Sequence, residues 1–594
     1  MTTLNQHLVN LKEYRQNLYQ VFDFYADTLM NLVDALSSNT TARSVVELSL
    51  NPAFKRSYSA LFKGVAAFAL APIPNISQEK KISLYEVTAA VSEEKMSSSD
   101  KVTAAVPKET VASMLEENIS SSEEAVAPLS KENISSSEEV VAPLSEENIS
   151  SFEEIVTPVS EENISSSKQF RTTPNTDAEF QAVLQQTVAQ ELREQREMKL
   201  IRTVVPYLPH PKKRPFWLFG VDVTPQPRPF AVTLKDRGFV HVSYPIQVDK
   251  PIAIGHQYSV LAYLPEKEAT TDSAWLVPLS TRRVGTSQDK ELIGFEQLSL
   301  VLDNKDLPFQ DRLIVQVADA SYSKRAYLFA SAKRANLVTI ARLRSNRVFY
   351  RQPNKPEKPK KGHPKWYGER FALKEPSSWH SPVRVSETTH QSHRGRQYQV
   401  VIEEWDDMLM KGEGEFKMHL HPFTLVRIRY LKEDGQPAFK NDLWLCVIGE
   451  RRKELNGYHI HQSYQQRFDM EHYFRFGKQR LLMDSFQTPE VEREESWWDL
   501  VQMAYTQLWL AAPLAISLPR PWETALKSTH TTVKMTPSLV QRDFGRISRQ
   551  IGTPARAPKV RNKSAGRRVG SRFPPRPRIP VVKKGKSPTH KAAA

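Results

Sequence analysis

The stretch YQQRFDMEHYFRFGKQR, residues 464–480, reads as a helix whose polar residues sit where an ordinary surface helix has no use for them. At 3.6 residues per turn, Tyr464, Arg467, Glu471 and Lys478 lie at offsets of 0, 3, 7 and 14, each close to a whole number of turns. They share one narrow face. Phe468, Met470, Tyr473, Phe474, Phe476, Leu481 and Leu482 spread around much of the remaining circumference, which predicts a helix packed on several sides. Arg467 and Glu471 form an i,i+4 pair, worth about 0.2–0.5 kcal/mol. That pairing leaves Lys478 two turns away and gives Tyr464 no task. The stripe therefore predicts outside partners: a cation for the carboxylate, and phosphates for the tyrosine, arginine and lysine.

One carboxylate does not hold a hard divalent cation, which takes several oxygen ligands. Companions are expected at the ends of buried strands, where a sheet fixes side chains. Asp222 in FGVDVT and Asp319 in VQVADASYS fit, each following an apolar strand and preceding turn-favouring residues. An aspartate in such a place also serves as a turn cap. With Glu471, however, the two make an all-oxygen ligand set.

The spacing Tyr464, Arg467, Glu471, Lys478 resembles the Tyr-Arg-Glu-Lys signature of DDE transposases from bacterial insertion sequences. Asp222 and Asp319 resemble, in order and context, that family's first two catalytic aspartates. The resemblance covers about 216–482 and, more loosely, the N-terminal helices. It implies an α/β fold: a ribonuclease H-like mixed sheet with flanking helices, interrupted by a mostly β insertion, plus an N-terminal all-α domain. Asp319 and Glu471 are 152 positions apart (471 − 319), which leaves room for such an insertion. The resemblance also implies that Asp222, Asp319 and Glu471 are catalytic and bind two Mg²⁺ ions, with Mn²⁺ able to substitute. Arg467 and Lys478 would contact backbone phosphates, and Tyr464 a phosphate or an extruded base. The partner would be double-stranded DNA, both transposon ends and target, with a homodimer in the DNA complex. Trp366, Trp379 and Trp405 are available to stack on a flipped base; burial is the alternative for each. Two other functions use the same residues: a catalytically inactive, transposase-derived DNA-binding protein, and a metal-dependent nuclease that cuts without joining.

The rest of the chain divides by composition. Residues 1–75 show helical periodicity broken at SSNTT, and Lys55, Arg56, Tyr58 and Lys63 near the last helix suit either a DNA-reading helix or a plain bundle. Residues 76–175 read as a disordered acidic linker. Asn118, Asn133, Asn148 and Asn163 recur every fifteen residues there, and from Val111 to Lys168 thirteen Glu face two Lys, a balance of −11. Residues 176–345 and 461–525 read as the two parts of the catalytic domain, with strands first and then helix alternating with strand; residues 346–460 read as a β-rich insertion. The last stretch, 526–594, reads as a basic disordered tail, with sixteen Lys or Arg against one Asp from Gln541 onward in a chain whose net charge is +15. Clustered cations of this kind point to a polyanionic partner. A single cysteine, Cys446, excludes an intramolecular disulfide. MTTLNQHLVNLKEYR has no apolar signal core, and the longest apolar runs are too short to span a bilayer. A soluble protein of the reducing cytoplasm, associated with the nucleoid, is expected.

Overall fold

The run FWLFGVDV is apolar enough to be buried on both faces, and it forms the middle of a large sheet. The computed structural model describes residues 2–69, 177–242, 251–267, 272–353, 365–392, 395–518, 534–559, 570–572 and 574–583. The stretch read as an acidic linker, 76–175, lies outside the described residues, as do 354–364 of the Pro- and Lys-rich loop and 526–533, 560–569, 573 and 584–594 of the basic tail.

The chain begins with helices α1 (Thr2–Val21), α2 (Ala26–Ser37), α3 (Val45–Leu48) and α4 (Tyr58–Phe68), followed by α5 (Asp177–Val204). Strands β1 (Phe216–Pro227), β2 (Gly238–His241), β3 (Ile252–Tyr263) and β4 (Val277–Val284) precede α6 (Lys290–Asp303). Next come β5 (Leu313–Ala318), α7 (Arg325–Ala332), β6 (Leu337–Arg342), β7 (Val348–Tyr350) and β8 (Arg370–Ala372). Strands β9 (Arg384–Gln391), β10 (Gln397–Met408), β11 (Phe423–Leu431) and β12 (Leu443–Ile448) lead into α8 (Gly457–Gln466), α9 (Phe468–Arg480), α10 (Val491–Ala511) and α11 (Pro537–Ile551).

Ten strands form one mixed sheet in the order β2-β3-β1-β5-β6-β12-β11-β10-β9, with β4 also paired to β3. Strand β1 runs antiparallel to β3 and parallel to β5, and β5 runs parallel to β6. Helices lie on both faces, and two glycines set their closeness. A Cβ on Gly294 of α6 would come within 2.7 Å of Val221 Cγ2, whereas one on Gly220 of β1 would lie 3.2 Å from Met470 Cγ of α9. Side chains alternate along a strand, so Val221 faces α6 and its neighbours Gly220 and Asp222 face α9.

The structure adds to the domain reading. The strands β9–β12 of the insertion are continuous with the main sheet: β12 pairs with β6 through Leu445 to Ile448, which extends the sheet that carries β1 and β5. The N-terminal helices do not stand alone either. They belong to the same compact unit as the sheet, together with Arg193–Val560 and Pro575–Ala594. The cause of the N-terminal docking is α10, which is buried almost all round and so needs apolar cover on every side. Tyr14 donates to the Met503 carbonyl at 3.2 Å, Ser37 donates to that of Ala504, and a buried Arg15–Asp34 pair is joined by Gln507. Lastly, the tail read as disordered contains α11, whose Val540, Phe544 and Ile547 are buried at helical spacing. Its apolar stripe is diluted by flanking arginines, so a charge count over the whole tail misses it. Further on, Ile579 N–H donates to the Val232 carbonyl and Arg576 pairs with Glu490.

Candidate active site

The opening stretch forms two helices that meet at Arg467, whose backbone stays helical (φ −53°, ψ −33°). Arg467 N–H donates to the Tyr464 carbonyl at 3.1 Å and Met470 N–H to the Arg467 carbonyl at 3.0 Å, tighter three-residue bonds in place of four-residue ones.

Asp222 and Asp319 are level with one another. The last β1–β5 pair is Gly220 with Val317, and two residues further on in each chain stand Asp222 and Asp319. Asp319 caps the short turn that follows β5, its Oδ1 accepting from Ser321 N–H at 2.8 Å and from Ser321 Oγ at 2.7 Å. Asp222 Oδ1 accepts from Val223 N–H at 2.8 Å, while Oδ2 lies 3.5 Å from Arg467 Nη1. Glu471, in the first turn of α9, accepts from Arg467 Nη2 at 2.6 Å, and its side chain is about half exposed. Burial pushes the Asp222 carboxyl up to about 7; the charges of Asp319 and Glu471 add to the rise, and Arg467 and the Val223 amide oppose it. Two of the acids, Asp222 and Glu471, thus share one guanidinium, and the charge of Asp319 is felt at Asp222.

The remaining stripe residues have partners within the protein. Tyr464 is only 2% exposed, with its ring under the Arg467 guanidinium. Lys478 Nζ donates to the Pro225 carbonyl at 2.8 Å and so ties α9 to the end of β1. Trp405 is buried and donates to the His380 carbonyl, Trp379 packs flat against Phe371, and Trp366 is partly exposed and stacked on His419.

Residues 167–410 match the family model of the DDE superfamily endonucleases. No curated protein matches the chain. The DDE match spans Asp222 and Asp319 and stops before Glu471. It supports a DDE-type transposase or nuclease domain, with which the mixed sheet, its flanking helices and the N-terminal helical region are consistent. DDE-type endonucleases act on DNA and generally use divalent metals. Among the described residues no three His, Cys, Asp or Glu side chains are drawn close enough together to hold a metal ion, and no helix is long and apolar enough to cross a membrane. The donor set nevertheless fits a hard cation. All its atoms are carboxylate oxygens, and the charges of Asp319 and Glu471 add to the rise that burial imposes on Asp222.

One group has no signature in the sequence. Behind β1, Glu494 of α10 is ion-paired with Arg228 at 2.9 Å, is hydrogen-bonded to His256 Nδ1 at 2.7 Å, and accepts from Tyr258 at 2.8 Å. These residues lie more than 200 positions apart from Glu494 in the chain, and no local spacing links them.

The raised Asp222 has a consequence for stability. The folded protein keeps this proton up to about pH 7, whereas the ordinary value is 3.8, so the unfolded chain binds fewer protons between those limits. Stability from this group is thus fully present below about pH 4 and falls as pH rises towards 7. Asp222→Asn removes that loss. In metal-free buffer the variant should exceed the natural protein in stability by about 1–2 kcal/mol at pH 8, less than the ~1.4 kcal/mol per pK unit of a fully dry group. At pH 4 the gap should vanish; thermal melts showing the same gap at both values would contradict this.

Proposed function

We propose that this chain is a DNA transposase of the kind carried by bacterial insertion sequences, in the subgroup with the Tyr-Arg-Glu-Lys signature, on a ribonuclease H-like catalytic fold. It cleaves transposon ends and joins the freed 3′ hydroxyl to target DNA. The observation that carries this reading is that Arg467 is shared by Asp222 of β1 and Glu471 of α9, while the charge of Asp319, just past β5, is felt at Asp222.

The three carboxylates would hold two Mg²⁺ ions, which when bound activate the attacking oxygen and stabilise the leaving one. The chain's own contribution is placement. Asp222 is fixed by a strand with neighbours on both sides, and Asp319 by its cap on Ser321. Glu471 stands in the first turn of α9, where the partial positive charge of the helix end favours an anion. Arg467 supplies a planar guanidinium for a backbone phosphate. Tyr464 supports that guanidinium from beneath, and Lys478 anchors β1. The protein acts as a homodimer on paired DNA ends at the nucleoid.

The test uses the full chain, Mg²⁺, a duplex bearing the inverted repeats that flank the coding region, and a supercoiled plasmid as target. Joined products are expected. Cutting with no joining would make the protein a nuclease of the same chemistry, and binding with neither would make it an inactive DNA-binding relative.

A further inference from the structure

We propose that Arg467 is the resident counter-ion of the carboxylate cluster and has to leave it before a divalent cation enters, so that cation binding depends on a DNA phosphodiester taking the guanidinium away. This rests on the reading of Asp222, Asp319 and Glu471 as metal ligands. It makes Arg467 a positioning residue, acting through the carboxylates it holds or releases.

Arg467 spans the gap between two of the three acids, Nη1 lying 3.5 Å from Asp222 Oδ2 and Nη2 2.6 Å from Glu471 Oε1. Those are oxygens a divalent ion would need, and a guanidinium placed there repels the incoming ion through a medium poorer in water than the surface. The residue is 6% exposed, and its charge stays on: burial lowers its pKa, but Tyr464, Asp222 and Glu471 together outweigh that and raise it.

The guanidinium also has a reason to leave. Its Nε is buried with no hydrogen-bond partner, so the present arrangement leaves one donor unsatisfied. A phosphodiester accepts two parallel bonds from the planar fork of an arginine. The rings of Phe468 and Tyr464, 4.7 and 5.7 Å from the guanidinium carbon, offer a face along which it can shift without losing cation–π contact.

The measurement is Mn²⁺ binding to the full-length protein without DNA, followed by the electron paramagnetic resonance of free Mn²⁺ and by calorimetry. Arg467→Gln should bind Mn²⁺ about tenfold more tightly than the natural protein, the equivalent of ~1.4 kcal/mol. Arg467→Lys, which keeps the charge, should stay near the natural affinity. A transposon-end duplex should tighten Mn²⁺ binding by the natural protein about tenfold and leave Arg467→Gln almost unmoved. Equal or weaker Mn²⁺ binding by Arg467→Gln, with a native melting curve, would overturn the proposal. So would a duplex that tightens binding by both proteins equally. Glu471→Gln separates the two readings: if it leaves Mn²⁺ binding unchanged, the metal-ligand assignment fails; if it weakens binding while Arg467→Gln does not tighten it, only the role of Arg467 fails.

Discussion

Asp222→Ala, Asp319→Ala and Glu471→Ala are each expected to lower DNA cleavage at least about a thousandfold, ~4 kcal/mol of transition-state stabilisation, while changing DNA affinity little. The split follows from where the side chains stand. Asp222 and Asp319 sit at one level of two adjacent parallel strands, and Glu471 reaches the same patch from α9. If they hold the metal as proposed, their removal takes away the means of stabilising charge at the reacting phosphate and leaves the cationic surface intact. Asp222 should be the most sensitive, since it is the acid whose carboxyl feels both of the others. The assay is end cleavage and joining by the full chain in Mg²⁺, with affinity measured in parallel at fixed ionic strength, because DNA affinity depends steeply on salt. Normal strand transfer by any one of the three variants would remove that residue from the active site.

How far this site could be read from the chain alone differs residue by residue. Arg467 and Glu471 were legible because helical periodicity is local: two residues four apart on a packed helix must share a face. Asp222 and Asp319 were legible as strand-end acids, since apolar runs followed by small residues mark where a buried strand stops. Their shared level was not, because it depends on the parallel pairing of β1 with β5, strands about a hundred positions apart that no spacing rule connects. The same blindness to non-local pairing hid the union of β12 with β6, which joins the insertion strands to the main sheet. Lys478 and Tyr464 show a different limit. Their positions on the stripe are as read, but whether a polar side chain meets a ligand or a neighbouring carbonyl depends on what packs beside it, here Pro225 and the Arg467 guanidinium. Helix α11 was hidden by its surroundings: three buried apolar residues in a basic stretch carry little weight in a composition count, yet they suffice to dock a helix onto α10.

Glu494→Ala is expected to destabilise the protein by about 3–5 kcal/mol, the usual loss when one partner of a buried ion pair is removed and the other charge stays behind. The side chains of Arg228, His256 and Glu494 are all 0% exposed, so no water replaces the missing carboxylate. Arg228 would keep its bonds to Gln487 and to the Thr488 carbonyl, but these are neutral acceptors and do not balance its charge. Tyr258, stacked face to face on Trp498 with ring centres 4.1 Å apart, would lose its acceptor in the same step. The damage reaches the candidate site because Arg228 follows directly on β1, the strand that carries Asp222, and Gln226 within that strand accepts from the Trp498 indole. A loosened β1 should therefore lower cleavage as well as stability, without any change in the reacting groups. Charge, not bulk, is the proposed cause. Pairing Glu494→Leu with Arg228→Met, which removes both charges at similar volume, should recover most of the lost stability. Urea unfolding of the three proteins decides this: a loss below about 1 kcal/mol for Glu494→Ala, or no recovery in the double variant, would mean that packing rather than the buried charge pair holds α10 against the sheet.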